Sequence, residues 1–363
     1  MVRVPLGQID DLPSSLEVLD RPLLDTYPPL RSFAQALGRT PLIEVPGPPH
    51  GGRIFAKCEW LNPTGSVKDR TALALIYDLL RRVRPVDPSC LHILEYSGGN
   101  LAIALSRLCR ELGISRTLVM ASFMSSEELQ SMRSEGSLID LVDKQFGFWA
   151  VMERAFILAR EHPDWHFLYQ HENEANLWFH RMTTGRELLV QLKQVETGEI
   201  RPDAWVASIG TGGTLIGVYD ALVEAFPNVA MVAVTPAELP YGSLDPPNGL
   251  PKYAGSGGLG CGRRQSFVAR RESSIADRLT VSFDQTIIDV AAFAALTGLW
   301  IGSSAAANWG AAFQVAQRLG YGSTVVTLFP SGPTASEKAK AQALPSSVLE
   351  DRLEGLGTLP RPA

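Results

Sequence analysis

Strand-like and helix-like segments alternate along most of this 363-residue chain. Short runs rich in aliphatic and β-branched residues, separated by helical patterns, occur at 91–95, 117–121, 138–142, 166–169, 205–209, 229–235, 279–283 and 323–329. Because parallel strands need crossover connections, this alternation predicts an α/β fold with mostly parallel, twisted sheets flanked by helices. In such folds ligands bind at the carboxyl ends of the strands, where the strand-to-helix loops lie.

The length of the chain exceeds that of one typical domain, which predicts two packed lobes. Apolar residues make up 45% of the sequence and charged residues only 20%, so two cores of ordinary size can be filled. We expect the boundary between the lobes near residue 175 and a ligand site in the cleft between them.

Charge and cysteine content narrow the classes of partner. A net charge of −5 gives no support for nucleic-acid or membrane partners. The four cysteines are scattered without a Cys-x-x-Cys pair, so the sequence indicates neither a metal site nor a disulfide framework. Because no secretory signal or membrane span is recognisable, we expect a cytoplasmic protein that acts on a small molecule.

The segment 62–70, Asn-Pro-Thr-Gly-Ser-Val-Lys-Asp-Arg, delivers one lysine to the start of a helix. Its first residues favour a turn, and Ser66 with Asp69 has the spacing of a capping box that would begin a helix at about Val67. Lys68 would then lie near the positive end of the helix dipole, where a cation is disfavoured. A lysine that loses its proton readily can attack a carbonyl and later act as a base. The alternative is an exposed lysine at a solvated helix start.

Two further strand-to-helix junctions carry glycine-rich loops. The first, Ser-Gly-Gly-Asn at 97–100, follows the run 91–95; the second, Gly-Thr-Gly-Gly-Thr at 210–214, follows the run 205–209. Backbone N–H groups at a helix N-terminus favour an anion, and the glycines and threonines of the second loop suit a phosphate. The absence of a lysine after 210–214 excludes a P-loop. What remains is a compact phosphate site and a carboxylate-sized site, together with a candidate Schiff-base lysine.

Taken in order, these three loops resemble those of the β family of pyridoxal-phosphate enzymes, also called fold type II. That family includes cysteine synthase, cystathionine β-synthase, diaminopropionate synthase and threonine dehydratase. Further segments that resemble it lie at 38–42, 56–59, 170–187 and 302–305. The resemblance implies that residues 54–175 form an N-terminal lobe, that 1–53 with 176–345 form a C-terminal lobe, and that 346–363 are a tail.

The resemblance also implies pyridoxal 5′-phosphate as cofactor, and it assigns a role to each loop. Lys68 would bind the cofactor aldehyde covalently and later remove the substrate α-proton. Asn100 would hydrogen-bond the ring oxygen, although capping of the following helix would explain an asparagine there as well. Ser331, in a loop one residue shorter than is usual in the family, would face the pyridine nitrogen, unless it is a plain turn serine. The residues that would bind the phosphate are Gly210, Thr211, Gly212, Gly213 and Thr214.

The loop that would bind the substrate carboxylate departs from the family pattern. The family usually has Thr-Ser-Gly-Asn-Thr, whereas this chain has Ser-Gly-Gly-Asn-Leu at 97–101, so two hydroxyl groups are missing. Asparagine followed by leucine resembles the diaminopropionate synthase branch. The residues expected to bind the carboxylate are Ser97, Gly98, Gly99 and Gln170, although Gln170 could equally be a buried structural residue.

The resemblance implies β-replacement on an activated serine, O-acetylserine or O-phosphoserine, through an aminoacrylate intermediate, as in cysteine synthase. One alternative is β-elimination, as in a cysteine desulfhydrase or a serine/threonine dehydratase. Another is a catalytically impaired cofactor-binding or regulatory protein. Amino-acid biosynthesis and a homodimer are further expectations from the family.

Arg263 and Arg264 follow a glycine-rich stretch that resembles a loop facing the cleft in the family. One of the two could bind a phosphate leaving group. A solvated pair on a surface loop is the alternative. His171 and His180 are expected to be packing or surface residues.

Overall fold

The computed structural model describes residues 11–122, 124–193, 200–243 and 259–357. Within these ranges the strands are β1 (Leu42–Val45), β2 (Arg53–Cys58), β3 (His92–Ser97), β4 (Ser115–Ala121), β5 (Leu138–Val142), β6 (His166–Phe167), β7 (Ala204–Ser208), β8 (Ala230–Pro236), β9 (Ile275–Val281) and β10 (Thr324–Phe329). The α-helices of the same ranges are α1 (Arg21–Thr26), α2 (Pro28–Ala36), α3 (Lys68–Val83), α4 (Asn100–Leu112), α5 (Ser126–Ser134), α6 (Gly147–Glu161), α7 (Glu174–His180), α8 (Arg186–Lys193), α9 (Gly213–Ala225), α10 (Ser266–Ala269), α11 (Phe283–Thr297), α12 (Ser303–Leu319), α13 (Ala335–Gln342) and α14 (Ser346–Gly355). A π-helical turn, Arg181–Gly185, connects α7 to α8.

The described strands form two sheets. The larger sheet has the order β1-β2-β10-β7-β8-β9, in which only β1 and β2 are antiparallel to each other. The smaller sheet has the order β5-β4-β3-β6 and all its pairs are parallel. Helices pack against both sheets, which confirms the predicted α/β fold, and each predicted strand-like run overlaps an observed strand.

The sequence does not predict the antiparallel pair β1–β2. β2 contains Lys57, whose side chain is completely buried, so a charge interrupts the apolar run that would mark a strand. A buried lysine needs anionic partners from elsewhere in the chain, and those partners are not visible in the local pattern.

The packing of the N-terminal segment differs from the division expected from the sequence. α1 and α2 pack with α3 and α4 in a core on one face of the smaller sheet, although residues 1–53 were expected in the C-terminal lobe. The physical reason is that Leu30, Phe33 and Ala34 give α2 a buried apolar face. β2, by contrast, lies in the larger sheet although residues 54–58 were expected in the N-terminal lobe. The boundary near residue 175 stays a prediction.

The C-terminal residues, expected to be a tail, include the packed helix α14. Arg352 on this helix donates from Nε to Asp289 Oδ1 of α11 at 2.6 Å. Leu356, which follows the helix, is 1% exposed in the core between α11 and α12. Residues 346–357 are therefore part of the folded body, and 358–363 lie outside the described residues.

Four charged side chains form an ion-pair network that is completely inaccessible to solvent. Arg70 of α3 bonds to Glu59 at 2.7 Å and to Glu187 of α8 at 2.7 Å, and Lys57 of β2 bonds to Glu187 at 2.8 Å. Two cations thus face two anions, and the network joins the larger sheet to helices α3 and α8. We call Lys57, Glu59, Arg70 and Glu187 the buried charge cluster.

Mutual attraction keeps the buried charge cluster ionised. Burial, the largest single effect, acts to raise the pKa of Glu59, but the charges of Arg70 and Lys57 and the hydrogen bonds from Arg70 and Thr40 together outweigh it and lower that pKa to about 2. Thr40 and Asn62 donate further hydrogen bonds to the Glu59 carboxylate. Because each charge depends on the others for its compensation, removal of one partner leaves a buried charge without its counterion.

Replacement of Arg70 by methionine should lower the free energy of unfolding by about 3–5 kcal/mol, because it leaves two buried carboxylates facing Lys57 alone. Urea unfolding of the variant and the unchanged protein measures this difference. The control is Arg82→Met, which removes an ion pair to Asp78 from an arginine whose side chain is 53% exposed; it should cost at most about 1 kcal/mol. Equal losses in the two variants would contradict the importance of the cluster.

Candidate active site

The start of α3 differs from the predicted capping box. Ser66 Oγ accepts a hydrogen bond from the Lys68 N–H at 3.2 Å, as a cap would. Asp69, however, turns its carboxylate toward Thr64, whose N–H and hydroxyl both donate to it. α3 begins at Lys68 rather than Val67, because Asp69 stabilises the preceding turn instead of reaching back to Ser66.

The loop before α3 is attached to the loop after β10. The Val67 N–H donates to Pro330 O at 2.8 Å, and Ser66 forms an isolated β-bridge with Ser331. Lys68 and Ser331, which the family resemblance assigns to one cofactor ring, are therefore close neighbours along the backbone. The contact of Ser331 with a ring nitrogen stays a prediction.

Lys68 lies in surroundings that weaken its hold on a proton. Its side chain is half-buried, and the protein atoms packed around it lower its pKa to about 8, although nearby Glu95 acts in the opposite direction. An amine with this pKa is neutral in a useful fraction of molecules near physiological pH, whereas an ordinary lysine is not. The side chain can therefore act as a nucleophile or a base.

Glu95, at the end of β3, is a site residue that sequence reasoning missed. Burial raises its pKa to about 8, even though the N–H groups of Tyr96 and Gln170 donate to its carboxylate. Glu95 is consequently mostly uncharged at neutral pH. It therefore does not form a strong ion pair with Lys68. The available signal was a carboxylate that directly follows the apolar residues Ile93 and Leu94, two positions before the glycine loop at 97–99.

The loop at 210–214 connects β7 to α9. Thr211 Oγ1 accepts from the Gly213 N–H at 3.1 Å and from Asn176 Nδ2 at 3.0 Å. The Thr214 hydroxyl lies 3.2 Å from His180 Nε2. α9 begins at Gly213, so the N–H groups of its first turn lie in this loop, where the helix dipole favours an anion.

The glycines of this loop are fitted closely against the neighbouring segments. A Cβ atom at Gly213 would lie 2.8 Å from the Asn176 amide, and one at Gly212, where φ is +88°, would lie 2.6 Å from Val268 Cγ2. The loop therefore presents bare backbone and two hydroxyl groups beside a helix N-terminus. This donor set has the chemistry that suits a phosphate group, and the binding of a phosphate here stays a prediction.

The loop at 97–99 lies at the start of α4. Ser97 Oγ accepts from the N–H groups of Gly99 at 3.0 Å and Ala102 at 3.1 Å, so its oxygen is used within the loop. Asn100 is the first residue of α4 and is exposed, and the cap position is Gly99, with φ +140°. The alternative role of Asn100 as the cap of this helix is not observed.

Gln170 and Asn176 hold the three loops together. The side-chain amide of Gln170 donates to Tyr96 O at 2.8 Å, and its backbone N–H donates to the Glu95 carboxylate at 3.2 Å. Asn176 donates to Gln170 O and to Thr211 Oγ1, both at 3.0 Å, and accepts from Thr71 of α3. Gln170 is thus engaged with the end of β3, and its contact with substrate stays a prediction.

The two arginines differ in their surroundings. Arg264 is exposed and pairs with Glu272, which fits the solvated alternative. Arg263 is only 22% exposed, its guanidinium lies 5.4 Å from the centre of the Trp149 ring, and it donates to the Tyr169 hydroxyl at 3.4 Å. Its one anionic partner among the described residues, Glu172, is 3.8 Å away. Because Tyr169 immediately precedes Gln170, Arg263 is the member of the pair that lies at the candidate site.

The described residues form no metal-binding cluster, no disulfide and no membrane-spanning helix. Across 11–122, 124–193, 200–243 and 259–357, no group of three or more His, Cys, Asp or Glu side chains could hold a metal ion. All four cysteines are free thiols. No helix among the described residues is long and apolar enough to cross a membrane.

Comparisons with known proteins bear on the chemistry of this site. A family model described as "Pyridoxal-phosphate dependent enzyme" matches residues 33–331. A cysteine synthase from Staphylococcus aureus strain Mu50 is 33% identical over 309 residues, which are 84% of this chain and 94% of that protein. The solved O-acetylserine-dependent cystathionine β-synthase from Helicobacter pylori has a TM-score of 0.71 and 30% identity, over 82% of this chain and 94% of its own. A hydrogen sulfide-producing enzyme from Fusobacterium nucleatum has a TM-score of 0.71 and 26% identity, over 86% and 98% of the two chains.

Replacement of Gly212 by alanine should weaken the binding of pyridoxal 5′-phosphate to the apoprotein on the order of 10-fold, because the left-handed backbone and the contact with Val268 both force the loop to shift. Absorbance titration measures the dissociation constant. The control is Gly320→Ala, where φ is +81° but no atom lies within 4 Å of the added carbon. Gly320 lies at the end of α12, so this variant should lose only stability. Unchanged binding in Gly212→Ala would contradict a phosphate site in the loop.

Proposed function

We propose that this chain, which belongs to the pyridoxal-phosphate-dependent enzyme family, catalyses β-replacement on an activated serine. The observation that carries the proposal is the placement of half-buried Lys68, with its lowered pKa, beside the Ser331 loop. The similarity to cysteine synthases and to an O-acetylserine-dependent enzyme supports the same reaction class. The products would belong to amino-acid biosynthesis.

The proposed binding of the cofactor uses all of the loops described above. The residues of 210–214 would hold the phosphate, Asn100 the ring oxygen, Ser331 the ring nitrogen and the Lys68 amine the aldehyde. When bound, the cofactor withdraws electrons from the substrate α-carbon, which makes its proton acidic. Ser331 offers a neutral hydroxyl rather than a carboxylate, which favours loss of a β-substituent over transamination.

The residues of the chain then bind the amino acid and move its proton. Backbone N–H groups at 97–99 bind the substrate carboxylate at the N-terminus of α4. Lys68 Nζ, once the amino group of the substrate has replaced it at the aldehyde, would remove the α-proton, which its lowered pKa permits near neutral pH. Loss of the β-substituent and addition of a thiol or amine at the β-carbon complete the replacement, and Lys68 returns the proton to the α-carbon.

β-Elimination is a second candidate, supported by the similarity to a hydrogen sulfide-producing enzyme. It shares every step up to loss of the β-substituent and differs only because no nucleophile is added. We also propose a homodimer that works in the cytoplasm. The family resemblance supports the dimer, and the free cysteines are typical of a reducing compartment.

The direct test mixes the holoprotein with O-acetylserine, O-phosphoserine and cysteine in turn and records the absorbance of the bound cofactor. We expect a change with at least one activated serine, and a new β-substituted amino acid by mass spectrometry when sulfide or an amine is supplied. Pyruvate and ammonia without a replacement product would instead establish elimination. A spectrum that ignores every amino acid would contradict both reactions and would indicate a cofactor-binding protein without turnover.

Arg263 is proposed to bind the leaving group when that group is phosphate, because its guanidinium is partly buried with one distant anionic partner. Arg263→Gln should raise KM for O-phosphoserine about 10- to 100-fold, the value of a lost charge-assisted hydrogen bond, and should change KM for O-acetylserine much less. The adjacent Arg264→Gln is the matched control and should leave both constants unchanged. Equal effects of the two variants on O-phosphoserine would contradict this role.

A further inference from the structure

A buried tyrosine–histidine pair joins the end of β3 to the turn that follows β6 at the candidate site. The Tyr96 hydroxyl lies 2.6 Å from His171 Nδ1, and the two rings are stacked with centroids 5.3 Å apart and planes inclined by 20°. Tyr96 is 0% exposed and His171 is 4% exposed. Tyr96 directly precedes the loop at 97–99 and His171 directly follows Gln170, so the pair belongs to the site and not to a distant core.

Both members of the pair are uncharged. Burial lowers the pKa of His171 well below its ordinary value, and the nearby positive charges of Lys68 and Arg263 lower it further. Burial raises the pKa of Tyr96, and the Glu95 carboxyl acts in the same direction. The histidine is therefore a neutral imidazole with one N–H, and the tyrosine keeps its hydroxyl hydrogen.

The hydrogen bond between the two side chains selects one tautomer of His171. The described residues offer the Tyr96 hydroxyl hydrogen no acceptor other than His171 Nδ1. A buried hydroxyl hydrogen without an acceptor is costly, so Tyr96 donates and Nδ1 accepts. The remaining proton then lies on Nε2, which has no hydrogen-bond partner among the described residues. The His171 side chain, held by its hydrogen bond to Tyr96 and by ring stacking, thus retains one N–H donor for a ligand.

Few other side-chain donors remain at this place. Ser97 Oγ accepts the N–H groups of Gly99 and Ala102, which leaves only its hydroxyl hydrogen for a ligand, and Gly98 carries no side chain. The side-chain amide of Gln170 donates to Tyr96 O. His171 lies near these residues. It is also close enough to Lys68 of α3 and to Arg263 for both positive charges to lower its pKa. The Ser97 hydroxyl hydrogen and the His171 Nε2 hydrogen are therefore the donors that these side chains leave for an anionic group of the substrate at the loop.

We propose that His171 Nε2 donates a hydrogen bond to the carboxylate of the substrate amino acid, and that the Tyr96 hydroxyl is a positioning group that fixes the donating tautomer. This inference rests on the proposed function, since it concerns the same site. It replaces the expectation that His171 is only a packing residue. It also explains how the chain can bind an amino acid without the hydroxyl groups that the loop at 97–101 lacks.

The test compares two probes that differ only in the carboxylate, L-serine and ethanolamine, bound to the holoprotein and measured by cofactor absorbance. His171→Phe should raise the dissociation constant of L-serine about 10-fold or more, while that of ethanolamine stays the same. His171→Gln keeps an N–H donor and should recover part of the loss. Tyr96→Phe should weaken L-serine binding by a smaller factor, because the imidazole is then free to change tautomer.

The control is His92→Phe, at the opposite end of β3, where the ring stacks on Trp165; it should bind both probes as the unchanged protein does. Equal weakening of both probes in His171→Phe would show a structural role and overturn the inference. Normal L-serine binding in His171→Phe would also overturn it, while turnover of activated serines would leave the proposed function standing. Failure of the unchanged holoprotein to bind any amino acid would overturn both.

Discussion

The buried charge cluster of Lys57, Glu59, Arg70 and Glu187 is the interaction on which the geometry of the site depends. Lys57 and Glu59 lie just before the loop that carries Lys68, Arg70 lies just after it, and Glu187 belongs to α8. Both ends of the loop are therefore fixed to one point in the interior. The chain passes close to that point at Gly38, where a Cβ atom would lie 2.6 Å from Glu187 Oε1. Such tight surroundings leave the loop little freedom to present Lys68 in another way.

The cluster also explains why Lys68 has no strong anionic partner. Its two carboxylates are fully compensated by Lys57 and Arg70, and the remaining nearby acid, Glu95, has a pKa raised to about 8 by burial. Burial therefore dominates the environment of Lys68 and lowers its pKa to about 8, with Glu95 as the carboxyl group that acts against this shift. The charges of the buried charge cluster, which stabilise the fold, are paired with one another and not with the Lys68 amine. The stability of the fold and the proposed reactivity of Lys68 are linked in this way.

Much of the fold and part of the site could be predicted from the sequence, and the successes share a cause. Apolar runs that alternate with helical patterns indicate buried strands, and a glycine after a strand indicates close backbone approach. β3, β7 and the loops that follow them were therefore located correctly. Residues whose role depends on distant partners were missed. Lys57 interrupts β2 in the local pattern, and its partner Glu187 is far along the chain. The pairing of Tyr96 with His171 likewise becomes visible only when β3 and β6 lie side by side.

The proposed chemistry depends on covalent attachment of the cofactor to the Lys68 amine, which is itself a proposal. Sodium borohydride reduction of the holoprotein, followed by proteolysis and peptide mass mapping, shows which side chain forms that bond. We expect the reduced cofactor on the peptide that contains Lys68 and on that residue alone. Recovery of an unmodified Lys68 from reduced holoprotein, or of the label on a different lysine, would contradict the assignment of this site.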